Sequence, residues 1–111
     1  MAKQTLSPRE LEANLLLQAA ARLQALHDSW ESNKSQLDDA LLFNRKLWTV
    51  FLTTATDSSN PLPQAIRQNV ANLGIFVLNQ TLTTSADPRP EHLVSLIKIN
   101  REIAAGLLGR G

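Results

Sequence analysis

Two apolar stretches of this chain carry the polar side chains best placed for chemistry. "LLFNRKLWTVF", residues 41–51, sets Asn44 and Arg45 just ahead of a tryptophan, and "LIKINREIAAGLL", residues 96–108, sets Asn100 and Arg101 among isoleucines. A side-chain amide both donates and accepts hydrogen bonds, and a guanidinium offers a planar donor fork that matches a carboxylate. Both groups recognise; neither is a nucleophile. Catalytic groups are poorly supplied. His27 and His92 stand alone without a second ligand at helical spacing, and Asp38 and Asp39 are neighbours that point in different directions. All four read as solvated surface or helix-end charges. No cysteine is present, and no GxGxxG, P-loop or nucleophile elbow occurs. The expectation is a protein that is not an enzyme and that uses no cofactor or metal.

The elements that position these residues are helices. "TLSPREL" has Ser7 as N-cap, Pro8 at the first helical position, Glu10 in place for a capping box, and Leu6 facing Leu11 as a hydrophobic staple. Leu11, Leu15, Ala19, Leu23, Leu26 and Trp30 continue at three- and four-residue spacing, which predicts a helix over about 8 to 30. "ESNKSQ" breaks the pattern, and Ser35 with Asp38 gives a weaker capping signal for a second helix over about 36 to 55. "TDSSNPLP" is the clearest loop, and Pro63 suits the start of a third helix running to about Leu82. Gly74 inside that helix costs roughly 1 kcal/mol against alanine, so close approach of a neighbouring helix is its expected compensation. A fourth helix runs from about Pro90 to Leu107, with Gly109 as its terminal cap. No stretch alternates with period two, so the predicted fold is all-α: a compact, up-and-down bundle of about four helices in a single domain.

At seam spacing the second helix reads Leu37, Leu41, Asn44, Trp48, Phe51, Ala55, and the fourth reads Leu93, Ile97, Asn100, Ala104, Leu107. Both asparagines therefore fall inside an apolar seam, and the third helix adds Asn69, Asn72 and Asn79. A buried amide without partners costs about 1 to 3 kcal/mol, so these groups must bond to each other, to backbone or to a ligand. In one reading they pair internally and fix helix register. In the other, part of the set lines a groove for a partner helix or extended peptide, with Arg45, Arg67 and Arg101 at its margin. Trp48 and Phe51 pose the same choice between core packing and an interface anchor. A second apolar set on the same helix, Phe43, Leu47 and Val50, makes it either central or partner-facing.

Composition narrows the function classes. With 111 residues, 43% of them hydrophobic and 19% charged, the chain suffices for one core. A net charge of +1 with interleaved signs gathers no polyanion, so direct nucleic-acid binding is not expected. "VANLGIFVL" could pass for the turn of a helix-turn-helix, but the recognition helix would be the apolar "IFVLNQTL", without a basic residue. No apolar run approaches the roughly 20 residues of a membrane span, and "MAKQTLSPRE" has no apolar leader core, so a cytoplasmic protein without membrane insertion is expected.

The segments "SPRELEANLLLQAAARL", "LLFNRKLWTVF", "NPLPQAIRQNVANLGIFVLNQTL" and "LVSLIKINREIAAGLLG" together resemble the flagellar biosynthesis regulator FlaF family, in that family's order and over most of the chain. The matching positions are Asn44, Arg45, Trp48 and Phe51, then Pro63, Arg67, Asn69, Asn72, Leu73 and Gly74, then Asn100, Arg101 and Gly106. The resemblance implies a small helical cytoplasmic protein needed for flagellin production and export, which binds flagellin as a secretion chaperone. It also implies a link to a FlbT-like translational repressor. The alternative function is post-transcriptional regulation of flagellin messenger RNA, with or against that repressor. Arg45, Trp48, Phe51, Arg67, Asn72, Phe76 and Arg101 are the candidate partner contacts. Asn44, Asn69 and Asn100 are the candidate structural seam.

Overall fold

The computed structural model describes residues 7–59 and 61–109. Its first helix, α1 (Pro8–Asp28), starts as its sequence dictates. The Ser7 hydroxyl accepts from the Glu10 N–H at 3.2 Å, and the Glu10 carboxylate accepts from the Ser7 N–H at 3.0 Å. The reciprocal pair satisfies two donors that a helix start otherwise leaves orphaned. The Ser7 backbone N–H, and secondarily its hydroxyl, hold the Glu10 carboxyl below the usual range. Leu6, the other half of the expected staple, lies outside the described residues, and Leu11 is 50% exposed.

The first helix ends two residues earlier than its periodicity suggests, at Ser29, where the backbone leaves helical geometry. The chain re-forms at once as the single turn α2 (Trp30–Asn33) and a 3-10 turn (Lys34–Gln36), then enters α3 (Leu37–Thr56). "ESNKSQ" is thus a helical corner instead of an open loop. The expected Ser35 cap is not made, because Gln36 occupies the N-cap position and makes no side-chain cap bond. Asp38 and Asp39 in the first turn supply the negative charge that a helix N-terminus favours.

Helix α4 (Gln64–Ala86) has Pro63 as its N-cap and extends four residues past the expected Leu82. Buried threonines are accommodated in this last part of the helix. Thr81 donates to the Val77 carbonyl and Thr84 to the Gln80 carbonyl, each at 2.7 Å, so both hydroxyls are satisfied within the helix and both side chains can be buried. A 3-10 turn (Pro90–Leu93) leads into α5 (Val94–Leu107). Gly109 closes that helix with φ +74°, a conformation glycine adopts without strain, and its N–H reaches the Gly106 carbonyl at 3.1 Å.

Helix α1 packs along α5 and on α3, α3 packs along α4, and α4 closes onto α5. No strand occurs among the described residues. Each of the four long helices feeds one core, with Leu16 and Leu23 from α1, Trp48 and Phe51 from α3, Val77 from α4 and Leu96 from α5. The seam read for α3 is buried throughout, as is that of the fourth helix. The α1 stripe needs correcting: Leu16 is sealed where Leu15 was expected, because "LLL" offers apolar residues on both sides of the helix. Trp48 and Phe51 meet edge to face, with ring centroids 5.5 Å apart, deep in this core. They are core residues and not surface anchors.

The buried asparagines pair with each other. Asn100 accepts from the Trp48 indole N–H at 2.8 Å, and its amide nitrogen donates to the Asn44 carbonyl oxygen at 2.7 Å and to the Leu16 backbone carbonyl at 3.4 Å. Three helices thereby share one polar chain inside an apolar core. The Asn44 amide nitrogen has no acceptor. Asn69, Asn72 and Asn79 do not join this set: all three are exposed on α4, whose core-facing positions are Val70, Gly74, Val77 and Thr81. Asn69 is accordingly not a seam residue.

This arrangement ranks the substitutions. Asn100→Ala strands three partners and is expected to cost about 2 to 4 kcal/mol, counting its cavity. Asn44→Ala removes one bond together with an orphan donor and is expected to cost less, about 1 to 3 kcal/mol. Arg45, exposed on α3, is expected to tolerate alanine within roughly 0.5 kcal/mol. Thermal and denaturant melts of the three variants check the order.

Candidate functional site

An apolar concavity follows from how α3 meets α4. A Cβ on Gly74 would stand 2.7 Å from the Leu52 Cγ and closer still to its methyls, so only glycine admits Leu52 at this depth. The expected close helix approach at Gly74 is therefore present. The two helices are antiparallel, because Leu41 lies by Thr81 at one end and Ala55 by Gln64 at the other.

A surface groove follows part of this pair. Its widest section, about 690 Å³, is lined by Arg45, Lys46, Thr49, Val50, Leu78 and Leu82. Toward the start of α3 it continues past Leu42, Asp38 and Ser85. Toward the start of α4 lies a separate recess of about 160 Å³ between Ala55, Thr56, Gln64, Arg67, Gln68 and Ala71. Val50 and Leu82 are 65% and 66% exposed, a large apolar area to leave in water. Residues 38–50 of α3 flank the groove, so at about 1.5 Å per residue its length is near 20 Å, between three and four helical turns.

The charges of the groove are unspent. Neither Arg45 nor Lys46 has a side-chain ion pair or hydrogen bond among the described residues. In the separate recess the Arg67 Nε–H is sealed from solvent without an acceptor. Asp57 is the acidic group nearest Arg67 in effect, yet its carboxylate already accepts from the Ser59 N–H at 2.9 Å and the Ser59 hydroxyl at 2.8 Å. Those two bonds, with Arg67 a lesser influence, hold Asp57 below the usual carboxylate range.

The structure thus sets Arg45 on the groove and Arg67 in the separate recess, away from the other expected contacts. Arg101 lies on the α1/α5 surface, donating to the Gln24 side-chain carbonyl at 3.2 Å. Asn72, which accepts from Gln68 at 3.3 Å, and Phe76, 43% exposed, sit on the outward side of α4 and do not line the groove. Val50 belongs to the second apolar set read on this helix, whereas Lys46, Leu78 and Leu82 are lining residues that the sequence reading does not single out as contacts. Their signal was present: Ile75, Leu78 and Leu82 form a second apolar stripe at helical spacing, facing away from the core positions.

Among the described residues no group of three histidine, aspartate or glutamate side chains is close enough to hold a metal, and no helix is long and apolar enough to cross a membrane. The described residues form an all-α bundle of four long helices whose α3/α4 face carries an apolar concavity edged by cations. The family model for the flagellar protein FlaF matches residues 1–107 of the 111, and the chain belongs to that family of flagellar proteins. No curated protein and no solved structure matches it.

Gly74 gives the groove a direct test. Gly74→Ala is expected to lower stability by about 1 to 2 kcal/mol as Leu52 is displaced. In a Leu52→Ala background the same change is expected to raise stability by about 0.5 to 1 kcal/mol, since alanine is the better helix former once the obstacle is gone. Denaturant melts of the four proteins in this cycle show the reversal of sign or its absence.

Proposed function

We propose that this protein is a cytoplasmic chaperone for flagellin that promotes its synthesis and secretion by covering an amphipathic helix until export. Membership of a flagellar family sets the context. The observation that carries the reading is the α3/α4 groove, whose exposed Val50 and Leu82 and unpaired Arg45 and Lys46 form an apolar floor with a cationic edge. The ends of flagellin are long amphipathic helices that would aggregate or polymerise if left free, and a groove of about three to four turns offers an apolar surface for one such face.

The competing reading, action on flagellin messenger RNA alone or with a FlbT-like repressor, has less support. Single-stranded RNA is held by exposed aromatic platforms among basic residues, whereas Arg45 and Lys46 border aliphatic side chains. A gel shift with flagellin leader RNA, with and without a FlbT-like partner, separates the two. Salt-sensitive binding by the isolated protein would reverse the order.

Co-purification with flagellin and its end-truncated forms is the direct test. Full-length flagellin is expected to form a complex at micromolar concentrations, and loss of one terminal segment is expected to abolish it. Val50→Asp and Leu82→Asp, both at exposed positions, are expected to fold normally and weaken the complex at least about tenfold, roughly 1.4 kcal/mol. Arg101→Ala, on the other surface, is expected to bind as wild type. A groove variant that binds undiminished would place the contact elsewhere.

A further inference from the structure

We infer that the outward face of α3 pairs with the same face of a second copy of this chain, the two α3 helices running antiparallel about a two-fold axis at Leu42. The first observation is the charge layout of that face. Asp38, Asp39, Arg45 and Lys46 are all exposed, and none has a side-chain ion pair or hydrogen bond among the described residues. Asp38 lies seven residues before Arg45, and Asp39 seven before Lys46. Seven residues is close to two helical turns, so each acid shares one side of the face with its base. It nevertheless stands about 10.5 Å from that base along the axis, beyond the spacing at which helix neighbours pair.

Two antiparallel copies remove the mismatch. Leu42 lies midway, with the acids three and four residues before it and the bases three and four after. A two-fold axis there reverses the helix direction and keeps each side of the face on its own side. Asp38 of one copy then faces Arg45 of the other, and Asp39 faces Lys46, twice over by symmetry. A parallel pair does the opposite and sets acids against acids and bases against bases, so the charges select the antiparallel arrangement.

The second observation is the apolar centre of the same patch. Leu42 is 38% exposed and Leu82 is 66% exposed. Both line, with Asp38 and Arg45, one concavity of about 280 Å³. In the pair Leu42 meets its counterpart on the axis with Leu82 beside it, which gives an apolar centre inside a charged rim, the usual anatomy of a protein interface. Residues 38–46 of α3 and Leu82 make a small face, so the pairing is expected to be reversible. It covers Arg45 and Leu82, which the proposed function gives to flagellin, so the two occupants exclude one another there. That exclusion rests on the proposed function; the pairing does not.

The chain has no cysteine, so one introduced thiol reports the axis. Under air oxidation Leu42→Cys is expected to give a disulfide-linked dimer, because only near the axis do two copies of one residue come within the roughly 4.4 to 6.8 Å between Cα atoms that a disulfide needs. Val50 is more exposed, at 65%. Val50→Cys is nevertheless expected to stay unlinked, since eight residues from the axis its two copies stand roughly 24 Å apart. Sedimentation of the wild-type chain is expected to show a monomer-dimer equilibrium between about 10 and 500 μM that weakens as salt rises. A variant carrying Asp38→Lys and Asp39→Lys, and another carrying Arg45→Asp and Lys46→Asp, are each expected to be monomeric, and their equimolar mixture to dimerise. The thiol variants change no charge, so they test the axis even where a charge-reversed helix start melts early. A wild-type chain still monomeric at about 500 μM, a scale at which even weak interfaces populate, would overturn the pairing and leave the face to a different protein. So would linking of Val50→Cys as fast as Leu42→Cys, or a folded mixture that stays apart. Flagellin capture is read separately: a dimer without capture removes the proposed function alone, and capture by a chain that never dimerises removes the pairing alone.

Discussion

One polar chain inside an apolar core sets the arrangement of this protein: the Trp48 indole donates to Asn100, and Asn100 donates to Asn44 and toward the Leu16 carbonyl. In a dry interior such groups must be paired, and each bond here joins residues at least 52 positions apart in sequence, from three different helices. Sliding α5 by a turn, about 5.4 Å, would keep apolar surface against apolar surface but break all three bonds, since each is made by Asn100. Hydrophobic burial alone does not select one register among several; the polar chain does. The unpartnered Asn44 amide nitrogen is a residual cost of that selection.

With α1, α3 and α5 fixed in this way, α4 meets the assembly chiefly along α3, where Gly74 receives Leu52. That contact is tight at its centre and open at its rim, which is why Val50, Leu78 and Leu82 flank a groove in place of closing it. Trp48 and Phe51 face inward, and the wide section of the groove is lined by aliphatic and cationic side chains and Thr49, without an aromatic ring. Fold and surface thus divide the polar residues between them. Asn44 and Asn100 act within the core, and Arg45, one position round the same helix, borders the groove.

The asparagine pair was legible in the sequence because both residues sit at seam spacing among residues whose burial is unambiguous, such as Leu41 and Ile97. Which atoms bond, and that Trp48 completes the chain, depends on α3 and α5 meeting across the core, which no local pattern encodes. Asn69, Asn72 and Asn79 were grouped with the pair by residue type; their spacing along α4 already placed them on another face. The helix ends at Ser29 and near Ala86 carry bonds from an N–H or a hydroxyl to a carbonyl one turn back, which polarity alone does not reveal. At the site, Arg45 was recognisable as a groove cation, but Arg101 was joined to it by likeness within the repeated Asn-Arg pair, and tertiary packing sends it to the α1/α5 surface.

Hydrogen exchange at the two tryptophan indoles, followed by NMR, tests the central claim most directly. Trp48 donates to Asn100 in the core, while the indole of Trp30, only partly buried, has no hydrogen bond among the described residues and serves as the reference within the same molecule. The account predicts that the Trp48 indole exchanges only through global unfolding, at the rate of the slowest backbone amides, and that Asn100→Ala accelerates it far more than the loss of stability explains. If the Trp48 indole exchanges as quickly as that of Trp30, the polar chain is not what holds the three helices in register.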